Sequence, residues 1–203
     1  MINFELVEKQ LPQYLRYDAK KKLFQELRGF PDNIDSRLYT IRLKKYEPYL
    51  LQGDGIKEVL YVELPAIRQK DVDIMILSNS CDINPENPKF LPVNVTYAPI
   101  VNLEKYHTML VDTGVEPKRA EGHVQDVKAQ RISNLFYLPK APSLDESVVF
   151  LDRVNSCDIQ YFVKKGLDQC RLFTLSDYGF YLFLYKLSIH FTRIYERIER
   201  TAL

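Results

Sequence analysis

The stretch from Asp73 to Ile83, DIMILSNSCDI, constrains this chain more than any other. Four consecutive apolar residues, Ile74 to Leu77, run directly into Ser78-Asn79-Ser80-Cys81-Asp82. The pattern predicts a buried strand ending in a polar turn. Short hydroxyl, amide and carboxylate side chains at a rigid strand end bond either to backbone groups or to a ligand. Ser78, Asn79, Ser80, Cys81 and Asp82, with Gln52 and Asp54 of the preceding QGD turn, are the expected binding residues.

The pentapeptide NSCDI occurs at 79–83 and again at 155–159, each time after an apolar run (Ile74 to Leu77; Val148 to Leu151). The flanking residues do not match, so no whole repeat unit is visible, and the spacing is wrong for a solenoid. Either the two turns are related in space, or they share turn chemistry or coincide by chance.

At 203 residues the chain is long enough for one domain with a sizeable core. With 28 basic residues against 27 acidic, no general attraction to nucleic acid or membrane follows, and any such binding must come from a local patch. No apolar run reaches the length of a membrane span, and MINFELVEKQ lacks the pattern of a signal peptide. Three widely separated cysteines suggest reduced thiols in the cytoplasm rather than a disulfide framework.

Leu11, Leu15, Ala19, Leu23 and Leu27 form a helical stripe from Pro12 to about Arg28, within an N-terminal segment 1–30. Lys20, Lys21 and Lys22 read as its solvated face. Strands are expected over Leu38 to Leu43, Ile56 to Leu64, Ile74 to Leu77, Val93 to Val101, Phe136 to Pro139, Val148 to Val154 and Ile159 to Val163. Asn102 to Leu110 and Glu116 to Ile132 read as helices inserted among them. Strands and turns at this spacing favour a curved antiparallel sheet over a parallel one. The clearest helix is the last, 176–201, capped by Ser176 or Asp177, with Phe180, Phe183, Leu184, Leu187, Phe191, Ile194 and Ile198 on one stripe. Tyr181, Leu182, Tyr185 and Ile189 lie opposite. That second apolar face requires cover, from the N-terminal helix or from a second copy of the chain. The expected class is α+β, with a sheet at 36–165, a helical insertion at about 102–132 and flanking N- and C-terminal helices.

The order Gly53-Asp54, strand, ILSNS, proline-containing loop and VTYAPIV resembles the MazF/PemK toxin barrels, over about 50 of the 203 residues. The resemblance implies a small curved antiparallel SH3/PemK-like barrel and RNA binding. In that family's pattern an arginine directly precedes the ILSN-type strand, and Ser or Thr follows a proline at the start of the next. Here Asp71-Val72-Asp73 stands in the first place and Val93 follows Pro92. Arg68 and Thr96 lie nearby but off register, and a one-residue shift turns a side chain to the opposite face. The catalytic pair is not carried over. QGD, LSNSCDI, FYLP and the terminal aromatic helix together more closely resemble an uncharacterised bacterial group with an LSxSCDI-type motif, which implies a bacterial or phage setting.

Cys81 and Asp82, with His107 or His123, would supply the parts of a cysteine nucleophile, but an adjacent carboxylate raises a thiol pKa and leaves less thiolate. Cys81, Asp82, Cys157 and Asp158 are types that bind zinc, yet no CxxC or HxxxH spacing supports a site. His190 reads as a packed helix residue. Lys118, Arg119, Lys128 and Arg131 are interleaved with Glu121 and Asp126, as on a solvated face. No cofactor or metal is expected. The leading expectation is a non-catalytic binding or regulatory component of a bacterial or phage toxin- or defence-type system, acting through a protein partner. An RNA-binding protein or endoribonuclease using Arg68 and Thr96, and a cysteine-dependent hydrolase, are the alternatives.

Overall fold

The β-branched and aromatic residues after the QGD turn form β1 (Gly55–Glu63), which returns antiparallel as β2 (Arg68–Ile76) in the computed structural model. The structure describes residues 34–40 and 48–192, with positions 21, 25, 26 and 28–30. From Ile56↔Ile74 to Val59↔Val72, β1 advances three residues while β2 advances two, which is a β-bulge. Glu58 takes a φ of 55° there, and its N–H donates to Asp73 Oδ1 at 3.1 Å. β2 begins at Arg68, earlier than the apolar run alone indicates, because its charged first half is solvent-exposed hairpin.

The central strand is β3 (Asn94–Asn102). One edge pairs with β2, and the other with β5 (Ser147–Phe150) and then β6 (Asn155–Asp158). From Tyr97↔Asn155 to Ile100↔Val149, β3 advances three residues while its partner advances six. The break falls beside Pro99, which has no N–H to give to a ladder. The expected strand Val148 to Val154 therefore stops at Phe150, and the chain turns out before rejoining as β6. β4 (Leu135–Leu138) extends the sheet beyond β5, and β7 (Arg171–Phe173), absent from the sequence reading, extends it beyond β1. Among the described residues, seven strands pair antiparallel in one sheet, with order β4-β5-β3-β2-β1-β7 and β6 beside β3.

The polar turn holds a one-turn helix, α1 (Ser80–Ile83). Between β3 and β4 lie α2 (Leu103–Asp112), capped by Asn102, and α3 (Pro117–Lys128), capped by Glu116 and opened by a proline where the missing N–H costs nothing. Ile159 to Val163 is a correction: the segment is helix α4 (Ile159–Lys165), followed by α5 (Leu167–Cys170). The Asp158 carboxylate caps α4 by accepting from Gln160 N at 2.7 Å. Coiling turns Phe162 into the core while Val163 and Lys164 stay exposed, so tertiary context overrides β-propensity.

The last helix, α6 (Asp177–Thr192), starts where Ser176 Oγ accepts from Gly179 N at 3.1 Å. Gly179 lets the helix approach the chain at Leu38, whose carbonyl oxygen would stand 2.2 Å from any Cβ at that position. Leu182, on the face opposite the main stripe, is buried with Phe183 against Leu38, Met75 and Phe136, so that face is covered in part from within the chain; Tyr181, Tyr185 and Ile189 are half-buried. The expected N-terminal helix falls outside the described residues apart from helical positions 21, 25, 26 and 28, as do 41–43 of the expected first strand and the chain after 192. Tyr39 bridges to Leu175, so the described part of that first strand does join the sheet's end. Among the described residues no helix is long and apolar enough to cross a membrane.

Candidate functional site

The QGD turn and the polar turn after β2 are one unit, held by bonds between them. Gln52 N donates to Ser80 Oγ at 2.9 Å, and Gln52 Nε2 donates to the Leu77 carbonyl at 2.7 Å. Ser78 Oγ accepts from Thr96 N at 2.8 Å. Asn79 Oδ1 accepts from Cys81 N at 2.8 Å and caps α1. Gly53, at a φ of +87°, leaves no room for a side chain because Leu175 lies against it. Each of these groups satisfies a backbone donor or acceptor that the turn would otherwise leave orphaned.

Asp54 is fully buried. Its Oδ2 accepts from Leu51 N at 2.9 Å and from Arg171 Nε at 3.1 Å, and its Oδ1 accepts from the Thr174 hydroxyl at 2.5 Å. Arg171 also donates to the Tyr49 carbonyl. Burial pushes the Asp54 carboxyl up to about 6, against the pull of the Arg171 charge and the bonds from Thr174 and Leu51. At neutral pH the group is therefore a carboxylate paired to a guanidinium. Arg171 and Thr174 were missed by sequence reasoning because nothing local marks them; they lie more than a hundred positions from their partner.

The expected site residues divide by direction. Gln52, Asp54, Ser78, Asn79 and Ser80 bond to the protein itself, whereas Cys81 and Asp82 are exposed on α1. The Cys81 carbonyl accepts from Asn87 Nδ2 at 2.7 Å. Arg68 pairs with Glu63 at the far end of the hairpin, while Thr96 lies across from Leu77, nine positions further along. That is roughly 30 Å of strand rise, so the two are not brought together. His107 and His123 belong to α2 and α3, which pack over β4 and β5, away from the cluster that takes in Ile83 of α1. His123 Nε2 lies 2.8 Å from the Tyr106 hydroxyl. Cys157 lies on β6, where burial pushes its thiol up. Among the described residues no group of three or more His, Cys, Asp or Glu side chains is placed to hold a metal ion.

The two NSCDI segments flank β3 at the same residue. Ser78, just ahead of the first, accepts from Thr96 N, and Ser156 of the second faces Thr96 on the opposite edge. Their local structures differ: the first is cap plus helix, the second is strand ending in the Asp158 cap. Ile83 and Ile159 pack in one cluster.

Two side-chain amides act as short strands. Asn155 Oδ1 accepts from Val62 N at 2.8 Å and its Nδ2 donates to Val62 O at 3.2 Å. Leu60 N donates to the Tyr161 hydroxyl at 3.1 Å, and the Tyr97 hydroxyl donates to Leu60 O at 2.7 Å. Beyond Ile56, the edge of β1 is thus met by side chains of β3, β6 and α4 rather than by a strand. Gln130 does the same for β4, bonding both N and O of Tyr137.

A groove of about 960 Å³ opens between α2, α3 and the loop joining β4 to β5, with Glu104, His107, Lys118, Glu121, Lys128 and Glu146 in its lining. Lys128 Nζ donates to Glu146 Oε1 at 2.7 Å, and the Tyr137 hydroxyl donates to the same carboxylate. Of the expected site residues only His107 lines it; Cys81 and Asp82 do not. A scan against protein-family models and a search of curated proteins find no match to this chain. What fold and site define is a mixed α/β protein built on an antiparallel sheet, with a polar turn given over to internal bonding.

Proposed function

We propose that this chain is a non-catalytic binding or regulatory component of a bacterial or phage toxin- or defence-type system that acts through a protein partner. The observation carrying the reading is the internal use of the turn: five of its polar side chains are bonded to the protein's own backbone or buried groups. A catalytic constellation needs a nucleophile and base within hydrogen-bond reach. Cys81 is exposed on α1, whose core cluster includes no histidine among the described residues, and Arg68 stands nine positions along the chain from Leu77, the residue that bonds to Thr96. The barrel reading of the sheet is supported by the side-chain seal along β1, which brings β6 and α4 against its otherwise open edge. The bacterial or phage setting rests on the resemblance of the QGD and LSNSCDI motifs.

Incubation of purified protein with RNA, alongside co-purification of the tagged protein from a bacterial host, tests the proposal. No cleavage together with a stoichiometric protein partner is expected. Cleavage lost on changing Arg68 or Thr96 would replace the reading with a ribonuclease.

A further inference from the structure

We propose that the outer edge of β2, from Arg68 to Asp73, docks an extended segment of a partner protein whose side chains alternate basic and acidic; this rests on the partner-binding reading above. The direction of each backbone group follows from the bonds on the far side of β1. Leu60 and Val62 bond their N–H and C=O groups to Tyr161, Tyr97 and Asn155, so these groups do not reach β2. Leu60 faces Asp71 and Val62 faces Gln69. These are therefore the non-hydrogen-bonded pairs of the hairpin, and the N–H and C=O of Gln69 and Asp71 point away from β1. β3 pairs with β2 only at Ile74, Met75 and Ile76, so among the described residues no strand covers them. Arg68, Gln69, Lys70 and Asp71 are all exposed. An open row of backbone groups of this kind is a template for strand addition.

The side chains select the occupant. Gln69 and Asp71 share a face with Leu60 and Val62, while Arg68 and Lys70 share the other with Glu63 and Tyr61. A residue added opposite Asp71 meets a carboxylate, one chain neighbour on the other face meets Lys70, which is also paired to Glu63, and the residue two further along that face meets Arg68. Alternating basic and acidic residues match both faces. A second copy does not. Outward-pointing residues must oppose one another, so antiparallel self-pairing centred on Lys70 sets Lys70 against itself, and centring on Asp71 sets Asp71 against itself. Centring on Gln69 opposes Arg68 to Lys70, and centring on Val72 opposes Asp71 to Asp73. Like charges directly opposite destabilise a strand pair.

The test uses full-length protein labelled for NMR and a synthetic peptide alternating lysine and glutamate, with a peptide of the same composition in KKEE blocks as control. The alternating peptide is expected to slow amide exchange at Gln69 and Asp71 and to bind about fivefold more tightly than the control. Asp71→Pro removes the outward N–H together with the carboxylate, at an edge position where proline is tolerated, and is expected to abolish binding. Asp71→Lys, which keeps the backbone donor, is expected to weaken it and serves if the proline variant does not fold. Unchanged exchange at Gln69 and Asp71, equal binding of both peptides, or protection that grows with protein concentration alone would overturn the proposal. Such a failure leaves partner binding through another face intact, which RNA incubation and co-purification judge separately.

Discussion

Arg171 of β7 grips the Asp54 carboxylate through Nε and Nη2, each at 3.1 Å, and donates to the Tyr49 carbonyl, so one guanidinium fastens the sheet's end to both sides of the QGD turn. Neither partner is exposed: the Arg171 side chain retains 9% of its accessible surface and Asp54 none. Removing the cation would leave a buried carboxylate uncompensated. Arg171→Met is therefore expected to destabilise the protein by about 3–5 kcal/mol, read from urea unfolding at neutral pH.

The sequence made the local parts of this arrangement legible and hid the distant ones. The strand before Ser78, the helices of the insertion and the Ser176 cap follow from patterns within a few residues. Ile159 to Val163 misled because its β-branched and aromatic residues suit a strand, while the Asp158 cap and the burial of Phe162 select a helix. β7 escaped notice because three residues with one charge carry no period. The polar turn was correctly placed at a strand end, but sequence alone could not distinguish residues that serve the backbone from residues that serve a ligand. That distinction depends on Gln52 and Thr96, which reach the turn only through the fold.

Asp54 gives stability a defined pH dependence. Its folded value of about 6 lies above the unfolded carboxylate's ~3.9, so its contribution is fully present below the unfolded value and is lost as pH rises through the folded one. The loss amounts to about 3 kcal/mol at most. Unfolding midpoints measured across this window should fall with rising pH, and Asp54→Asn should flatten that part of the slope.

Lys186 is buried on α6 and donates to the Gln130 carbonyl. Desolvation draws its ammonium down to about 8. A base depressed in the folded state loses stability as pH falls from its unfolded value of ~10.4 toward about 8, and carries the full cost below that. Lys186→Met removes the cost and forfeits one hydrogen bond, so it should raise stability at neutral pH by about 1–2 kcal/mol, measured by urea unfolding.

Asn155 is predicted to be irreplaceable by an apolar residue of similar size. Asn155→Leu leaves Val62 N and O without partners, which costs about 1–3 kcal/mol, and should speed amide exchange at Val62. Unchanged exchange would show that water satisfies this edge of β1.

Urea unfolding of Gln52→Ala beside Asp82→Ala tests most directly the claim that the turn's inward groups are architecture. Gln52→Ala orphans the Leu77 carbonyl and should lose about 1–3 kcal/mol, while exposed Asp82→Ala should stay within about 0.5 kcal/mol of the parent. Equal stabilities for the two variants would contradict the account.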